Sequence, residues 1–437
     1  MLVLKIAQFI KNPLFLKYFK NTSYIIFEKI LRVILWVFIF TWMARYLGPH
    51  DFGIFSYVES IISILMILST LGLDTIIIKE LVKDEKRINE LLGTSFMLKL
   101  ISSIIIIFFI LFYISFIENE YPINLLLIII SFSFFFHSFN VIDFYFQSKV
   151  LSKYTVFSKL IALSISSIIK VFLIVYEYPL IYFAGVILLE SIIIVIGLIF
   201  FYFHSKLSLF SWRIDFVVIK DLLKNSYPLL FAGILITIYS KIDQIMIKEM
   251  LGASQAGYYS AAVRLSEIWF IIGGLVCASL FPLIIKSKED STDIYYKRIQ
   301  QLLVFLISCA YLLILSVYFL SDFIILFLYG NNFLESIVVL NIHIFSTVFV
   351  YMGLVSSKWI VLENRTKLEF YRNLLGMIIN IGLNFIFIKK FGIIGAAYAS
   401  LITYIIAYYF FDIFLKETRK MFLIKSKALL LITKGEK

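Results

Sequence analysis

Twelve stretches of this chain are each apolar for long enough to cross a bilayer, and that recurrence leaves few folds open. Crossing about 30 Å of hydrocarbon takes about 20 residues of helix. The runs are centred near residues 34, 65, 105, 134, 166, 191, 237, 271, 309, 345, 379 and 405. Composition agrees, with 62% hydrophobic and 16% charged residues against roughly 25% charged in soluble domains. No water satisfies the backbone in lipid, so such runs are helices. A membrane barrel would instead show short segments of alternating polarity. The expected fold class is all-α integral membrane, with twelve transmembrane helices.

The net charge of +12 resembles a nucleic-acid signature until it is mapped onto loops. Thirty of the forty Lys and Arg residues fall on one side of the expected topology, in 1–20, 79–90, 149–159, 204–226, 286–298, 358–372 and 416–437. Only Arg45, Lys248, Lys389 and Lys390 fall on the other side. That bias is a positive-inside topology, with the N and C termini both cytoplasmic. The charge therefore reports orientation, and no nucleic-acid partner is expected.

A decapeptide occurs twice. Leu47-Gly48 through Gly53, Phe55 and Ser56 is echoed by Leu251-Gly252 through Gly257, Tyr259 and Ser260, 204 residues later. Both copies read L-G-x-x-x-x-G-x-[FY]-S and sit between long apolar runs. Carriers are often built from such internal repeats, with the transport path at their interface. The repeat divides the chain into two six-helix lobes, 1–213 and 214–437, joined by a cytoplasmic linker over 204–226. Lysines among apolar residues in 1–20 suggest an interfacial helix, and 421–437 reads the same way. The first apolar segment begins near Ser23 and carries Glu28, Lys29 and Arg32. That makes a poor cleavable signal, so the segment is expected to be retained.

Several chemistries are missing from the sequence. There is no G-x-x-x-x-G-K-[ST] phosphate loop, no G-x-S-x-G and no H-E-x-x-H. His50, His137, His204 and His343 have no metal-ligand spacing, so neither metal nor cofactor is expected. Cys277 and Cys309 both fall inside apolar runs and read as buried small residues. Catalysis would need a sizeable loop domain, and none is expected: the outer loops are short and the longest loop is the 204–226 linker. The chain reads as a transporter, not an enzyme.

Charges inside spans are costly, so they mark candidate functional positions. In span four, Ser133, His137, Asn140, Asp143 and Gln147 share an arc of about 120° at ~100° per residue. In span seven Thr237, Lys241, Gln244 and Lys248 share a face, with Asp243 pointing elsewhere. Span eight aligns Ser260, Arg264 and Glu267. Glu28 and Arg32 stand at the i,i+4 spacing of an ion pair. Lys241 and Arg264 each lie about seven residues, or ~10 Å, from the outer end of adjacent spans. Two cations at one depth suit an anion, and arginine matches phosphate bidentately. The plainer alternative is that Arg264 pairs with Glu267. A lone His137 on a polar stripe is read as a packing residue, and Asp143 as either a functional or an anchoring group.

At these residues the chain resembles the polysaccharide-unit flippases (Wzx-type O-antigen transporters) of the multidrug/oligosaccharidyl-lipid/polysaccharide exporter superfamily. The resemblance rests on Asn21-Thr22-Ser23, Ala44-Arg45-Tyr46-Leu47-Gly48-Pro49 and Leu71-Gly72-Leu73-Asp74. It continues through Asp143-Phe144-Tyr145-Phe146-Gln147, where the family more often carries tryptophan, and Asp243-Gln244-Ile245-Met246. The second decapeptide runs on to Glu267, and Asn380, Asn384 and Lys390-Phe391-Gly392 complete the series. It implies a V-shaped bundle of two lobes around a cationic cavity. It also implies movement of undecaprenyl-pyrophosphate-linked oligosaccharide, an O-antigen or similar repeat unit, to the periplasmic leaflet by alternating access.

Together these readings predict a gradient-driven flippase in a bacterial cytoplasmic (inner) membrane. Arg32, Lys241 and Arg264, with Lys29 as a fourth, are the candidate substrate-binding residues. Glu59 and Glu267 are the candidate proton-coupling carboxylates. The expected partners are the lipid-linked sugar, membrane lipids and other polysaccharide assembly proteins, and the expected state is a monomer. One rival is a cation-coupled multidrug exporter on the same scaffold, which would favour carboxylates and aromatics along its path. A second is a membrane sugar polymerase or ligase.

Overall fold

The computed structural model describes residues 13–116 and 121–432. Much of the interfacial helix expected over 1–20, and the last residues of the 421–437 stretch, lie outside the described residues.

The chain is helical throughout its described length. In order, the helices are α1 (Pro13–Thr70), α2 (Asp74–Lys83), α3 (Ile88–Phe116), α4 (Tyr121–Ser131), α5 (Ser133–His137), α6 (Val141–Ser148), α7 (Ser152–Val175) and α8 (Leu180–His204). There follow α9 (Phe216–Leu251), α10 (Ala253–Asp290), α11 (Thr292–Leu328), α12 (Ser336–His343), α13 (Ser346–Leu362), α14 (Thr366–Ile405), α15 (Phe411–Phe414) and α16 (Arg419–Leu429). Among the described residues nine helical stretches are long and apolar enough to cross a membrane, and α12 with α13, bent by 41°, makes a tenth if taken as one. This is a multi-pass membrane protein.

Two of the long helices contain a break in helical backbone. Helix α1 has 58 residues, about 87 Å at ~1.5 Å per residue. It breaks at Gly48, whose backbone (φ 72, ψ 174) is not helical. Helix α14 has 40 residues and breaks at Gly392 in the same manner. The apolar runs centred near 34 and 65 thus share α1, and those near 379 and 405 share α14.

The chain forms two compact units. The first comprises Met1–Tyr46 and Ile61–Ile234, the second Leu47–Ser60 and Leu235–Lys437. In the first, Leu73, Ile77 and Leu81 on one face of α2 pack with Leu92, Phe146, Leu198 and Tyr202. Helices α7 and α8 cross closely, because Gly197 leaves room for Ser158. Lys99 is buried against the Phe144 ring, 4.7 Å from its centre, and pairs with Asp74 at 2.9 Å.

The second unit holds the two decapeptides against each other. Gly252, like Gly48, has a left-handed φ (96°) with extended ψ (172°), which only glycine adopts without strain. A Cβ on Gly53 would lie 1.8 Å from the Ala253 carbonyl oxygen, and one on Gly257 would lie 2.0 Å from that of Pro49. Deeper in this unit Tyr239, Tyr404 and Tyr408 cluster with Phe270 and His343. At one end Lys425 of α16 is buried, 2.7 Å from Asp412 and 2.6 Å from the Tyr408 carbonyl. Burial pulls the Lys425 ammonium below its ordinary value, with Asp412 opposing the shift.

One expectation is corrected. Cys277 is buried but Cys309 is exposed, on the α11 face that also exposes Phe305 and Leu312. An apolar run does not distinguish a lipid-facing position from a core one.

Candidate functional site

In the first unit the intramembrane charges form a chain along α1. Arg32 Nε donates to Glu28 at 2.7 Å, the i,i+4 pair expected from sequence. Its Nη1 reaches Glu190 of α8 at 3.4 Å, and Lys170 of α7 stands 3.8 Å from the same carboxylate. Beside this chain lies a cavity of about 370 Å³ lined by Glu28, Lys29, Arg32, His137, Asn140 and Lys159. Lys29 is exposed there and has no ion-pair partner among the described residues.

Sequence reasoning placed a polar stripe in span four, and the structure breaks that span. A 3-10 turn at Ser138–Asn140 separates α5 from α6. His137 and Asn140 are 3.2 Å apart and both face the cavity. Asp143 accepts from Gln147 at 3.0 Å and from Lys159 at 2.9 Å. Lys159 and Glu190 were not singled out from sequence. Each becomes visible only through a partner on another helix.

In the second unit each candidate cation has a carboxylate. Lys241 lies 3.5 Å from Glu267. Arg264 is buried, bonded to Glu59 and, at 3.2 Å, to the Ser56 hydroxyl, with its guanidinium 5.6 Å from the Phe52 ring centre. The alternative pairing of Arg264 with Glu267 is therefore replaced: Glu59 takes Arg264, leaving Glu267 to Lys241. Span eight's alignment of Arg264 and Glu267 is only one turn of helix, whereas Glu59 arrives from α1, three residues past the first decapeptide. Ser60 of that same segment donates to Gln244 at 2.6 Å, and Tyr57 donates to Glu249 at 2.6 Å.

Asp243, which the sequence sets apart from the Lys241 face without assigning it a role, centres a polar network. It is buried and accepts hydrogen bonds from Tyr259 (2.6 Å), Asn384 (2.6 Å) and Ser400. Asn384 also donates to Asn380 at 3.1 Å. One signal was available: Asn380 and Asn384 share a face of α14 at i,i+4 spacing.

Comparison with known proteins places this arrangement in context. The polysaccharide biosynthesis protein family matches residues 18–288. Over 184 residues the chain is 28% identical to an uncharacterized membrane protein of Methanocaldococcus jannaschii, covering 42% of this chain and 43% of that protein. It is 22% identical over 218 residues to a capsular polysaccharide biosynthesis protein of Staphylococcus aureus (48% and 53% covered). It is 25% identical over 170 residues to a probable low-salt glycan biosynthesis flippase of Haloferax volcanii (38% and 35%). These matches span about half the relatives' length or less. Among solved structures the fold is similar to a multidrug resistance MATE family transporter of the MOP superfamily, inward-facing (TM-score 0.71, 12% identity, 92% and 96% covered). It is also similar to the lipid II flippase MurJ (TM-score 0.69, 17% identity, 93% and 90%). With 271 of its 437 residues, 18–288, matched end to end, the chain belongs to the polysaccharide biosynthesis protein family.

Proposed function

We propose that this protein is a flippase that carries an undecaprenyl-pyrophosphate-linked oligosaccharide from the cytoplasmic to the outer leaflet of a bacterial cytoplasmic membrane. The observation that carries this reading is the pairing in the second unit: Lys241 with Glu267 and Arg264 with Glu59. Such pairs open by exchange. An anionic head group takes the cation while a proton takes the carboxylate, so charge stays balanced. Arg32 and Lys29 supply the equivalent positive groups in the first unit. Transport through a hydrated path avoids desolvating the diphosphate, a penalty of several kcal/mol per ion even after relaxation.

The family and the names of its glycan-related relatives support a lipid-linked sugar over a drug. Twelve spans are supported by the breaks at Gly48 and Gly392, which give α1 and α14 two arms each, and an even number with the Lys/Arg bias would put both termini on the cytoplasmic side. The lobes 1–213 and 214–437 would then act as the two moving halves of a monomer.

The test replaces Lys241 and Arg264 by alanine, singly and together, in cells that depend on this protein for surface polysaccharide. Loss of polysaccharide at unchanged protein level is expected. Normal polysaccharide from the double variant removes both residues from the site. Altered drug sensitivity with intact polysaccharide would favour the exporter.

A further inference from the structure

The linker between α8 and α9 is pinned along its length to the first unit. Arg213 N–H donates to the Asn89 carbonyl at 3.1 Å, and Asp215 N–H donates to the Thr94 hydroxyl at 3.0 Å. The Ser211 hydroxyl reaches the Asn89 side chain at 3.1 Å, and the Trp212 indole donates to Tyr202 at 3.0 Å. Gly93 makes the approach possible, since a Cβ there would lie 2.5 Å from the Arg213 carbonyl oxygen. Asp215 then caps α9, accepting from Val217 N–H at 2.7 Å.

This fixed loop turns Trp212 inward, yet holds Phe210 outward, as the first residue of α9, Phe216, also is. Phe210 is 95% exposed and Phe216 84%. The first turns of α9 continue the pattern: Val218 and Leu222 face inward, while Val217, Leu223 and Tyr227 are exposed. Interspersed with these lie Arg213, Lys220 and Lys224, with Lys206 just before them, all exposed, and Asp221 is the one exposed acid of the stretch.

We propose that residues 206–227 form a membrane-surface anchor that binds the anionic cytoplasmic leaflet. Phe210 and Phe216 enter the boundary between head groups and acyl chains, and the four cations hold anionic phospholipid head groups. Interleaved aromatics and cations on one surface fit a lipid interface, where long basic side chains reach up to the head groups. The surface continues from the end of α8, which exposes Phe200 and Phe203. The Lys/Arg bias puts this loop on the cytoplasmic side, where the leaflet is negatively charged. The proposal is independent of what the protein transports.

The test uses the full-length protein with Cys277→Ser and Cys309→Ser as background. A polarity-sensitive fluorophore is attached at Phe210→Cys or Phe216→Cys, and the protein is placed in nanodiscs of phosphatidylcholine with or without phosphatidylglycerol. Quenching by a lipid bearing a nitroxide near its head group is compared with quenching by aqueous iodide. Several-fold stronger lipid quenching is expected. It should weaken when phosphatidylglycerol is omitted, and in the Arg213→Gln/Lys220→Gln/Lys224→Gln variant. Labels open to iodide and untouched by the nitroxide lipid in both compositions would overturn the proposal. Protection in native membranes but not in pure lipid would overturn it too, by showing a protein cover. Should a cysteine variant fold poorly, Val217→Cys reports on the same surface.

Discussion

Gly53 and Gly257 occupy equivalent places in the two decapeptides, and each lies against the third residue of the other copy. A side chain on Gly53 would meet Ala253, and one on Gly257 would meet Pro49. The repeat that first suggested two halves is thus also a contact within one unit. It brings Ser56 and Glu59 to Arg264, and Ser60 to Gln244. The glycines place the charges.

Alanine at either position is therefore expected to disrupt folding, because the obstructing atoms are backbone and have nowhere to move. Gly48→Ala differs, with nothing within 4 Å of its Cβ but a left-handed φ. Its strain is of order 1–3 kcal/mol. Thermal melts followed by fluorescence-detected size exclusion should rank Gly53→Ala and Gly257→Ala below Gly48→Ala, and all below wild type. A Gly53→Ala protein that melts like wild type contradicts the close approach.

The Arg264–Glu59 pair separates a structural role from a binding one. Removing Glu59 alone takes a carboxylate from a buried guanidinium, whereas Glu59 itself is partly exposed and removing both charges leaves no such imbalance. Arg264→Met with Glu59→Gln is expected to melt near wild type and to carry no lipid-linked sugar in reconstituted vesicles. Transport restored in that double variant would mean that Arg264 serves only to balance Glu59.

Asp243 gathers three donors into one buried carboxylate. Asp243→Leu takes an acceptor from Tyr259, Asn384 and Ser400, at about 1–3 kcal/mol for any group left unsatisfied, while Asn384 keeps Asn380 and the Tyr259 and Ser400 hydroxyls keep each other. Asp243→Asn keeps one acceptor oxygen. Melting temperatures should fall in the order wild type, Asn, Leu, and equal values for the two variants would show that the network contributes little.

The helical membrane class was legible because apolar runs of bilayer length admit little else, and the Glu28–Arg32 pair because it lies within one helix. The charge partners across helices were not. Glu59 is 205 residues from Arg264, and no periodicity along span eight points to it. Asp243 lies off the Lys241 stripe, and nothing along α9 points to the polar groups of α10 and α14 that meet it there. Cys309 shows the converse limit, since in lipid an apolar surface faces outward as readily as inward. Single-residue breaks such as Gly48 also hide where one span ends and the next begins.

The pair formed by Asp412 and Lys425 fastens α16 to the end of the second unit, and it makes a prediction in both mutation and pH. Both side chains are buried, 2.7 Å apart. Asp412→Leu alone leaves an ammonium without its counter-ion, and breaking such a pair costs about 3–5 kcal/mol. Asp412→Leu with Lys425→Met removes both charges and should recover most of that loss, leaving mainly the Tyr408 carbonyl without its donor. A double-mutant cycle of melting temperatures measures the coupling. The pH dependence follows from the lowered Lys425 value in the folded protein. Between that value and the ordinary 10.5, the unfolded chain binds more protons than the folded one. Stability therefore rises with pH across that window. The rise should disappear in Lys425→Met, and an unchanged slope in that variant would assign the titration to another group.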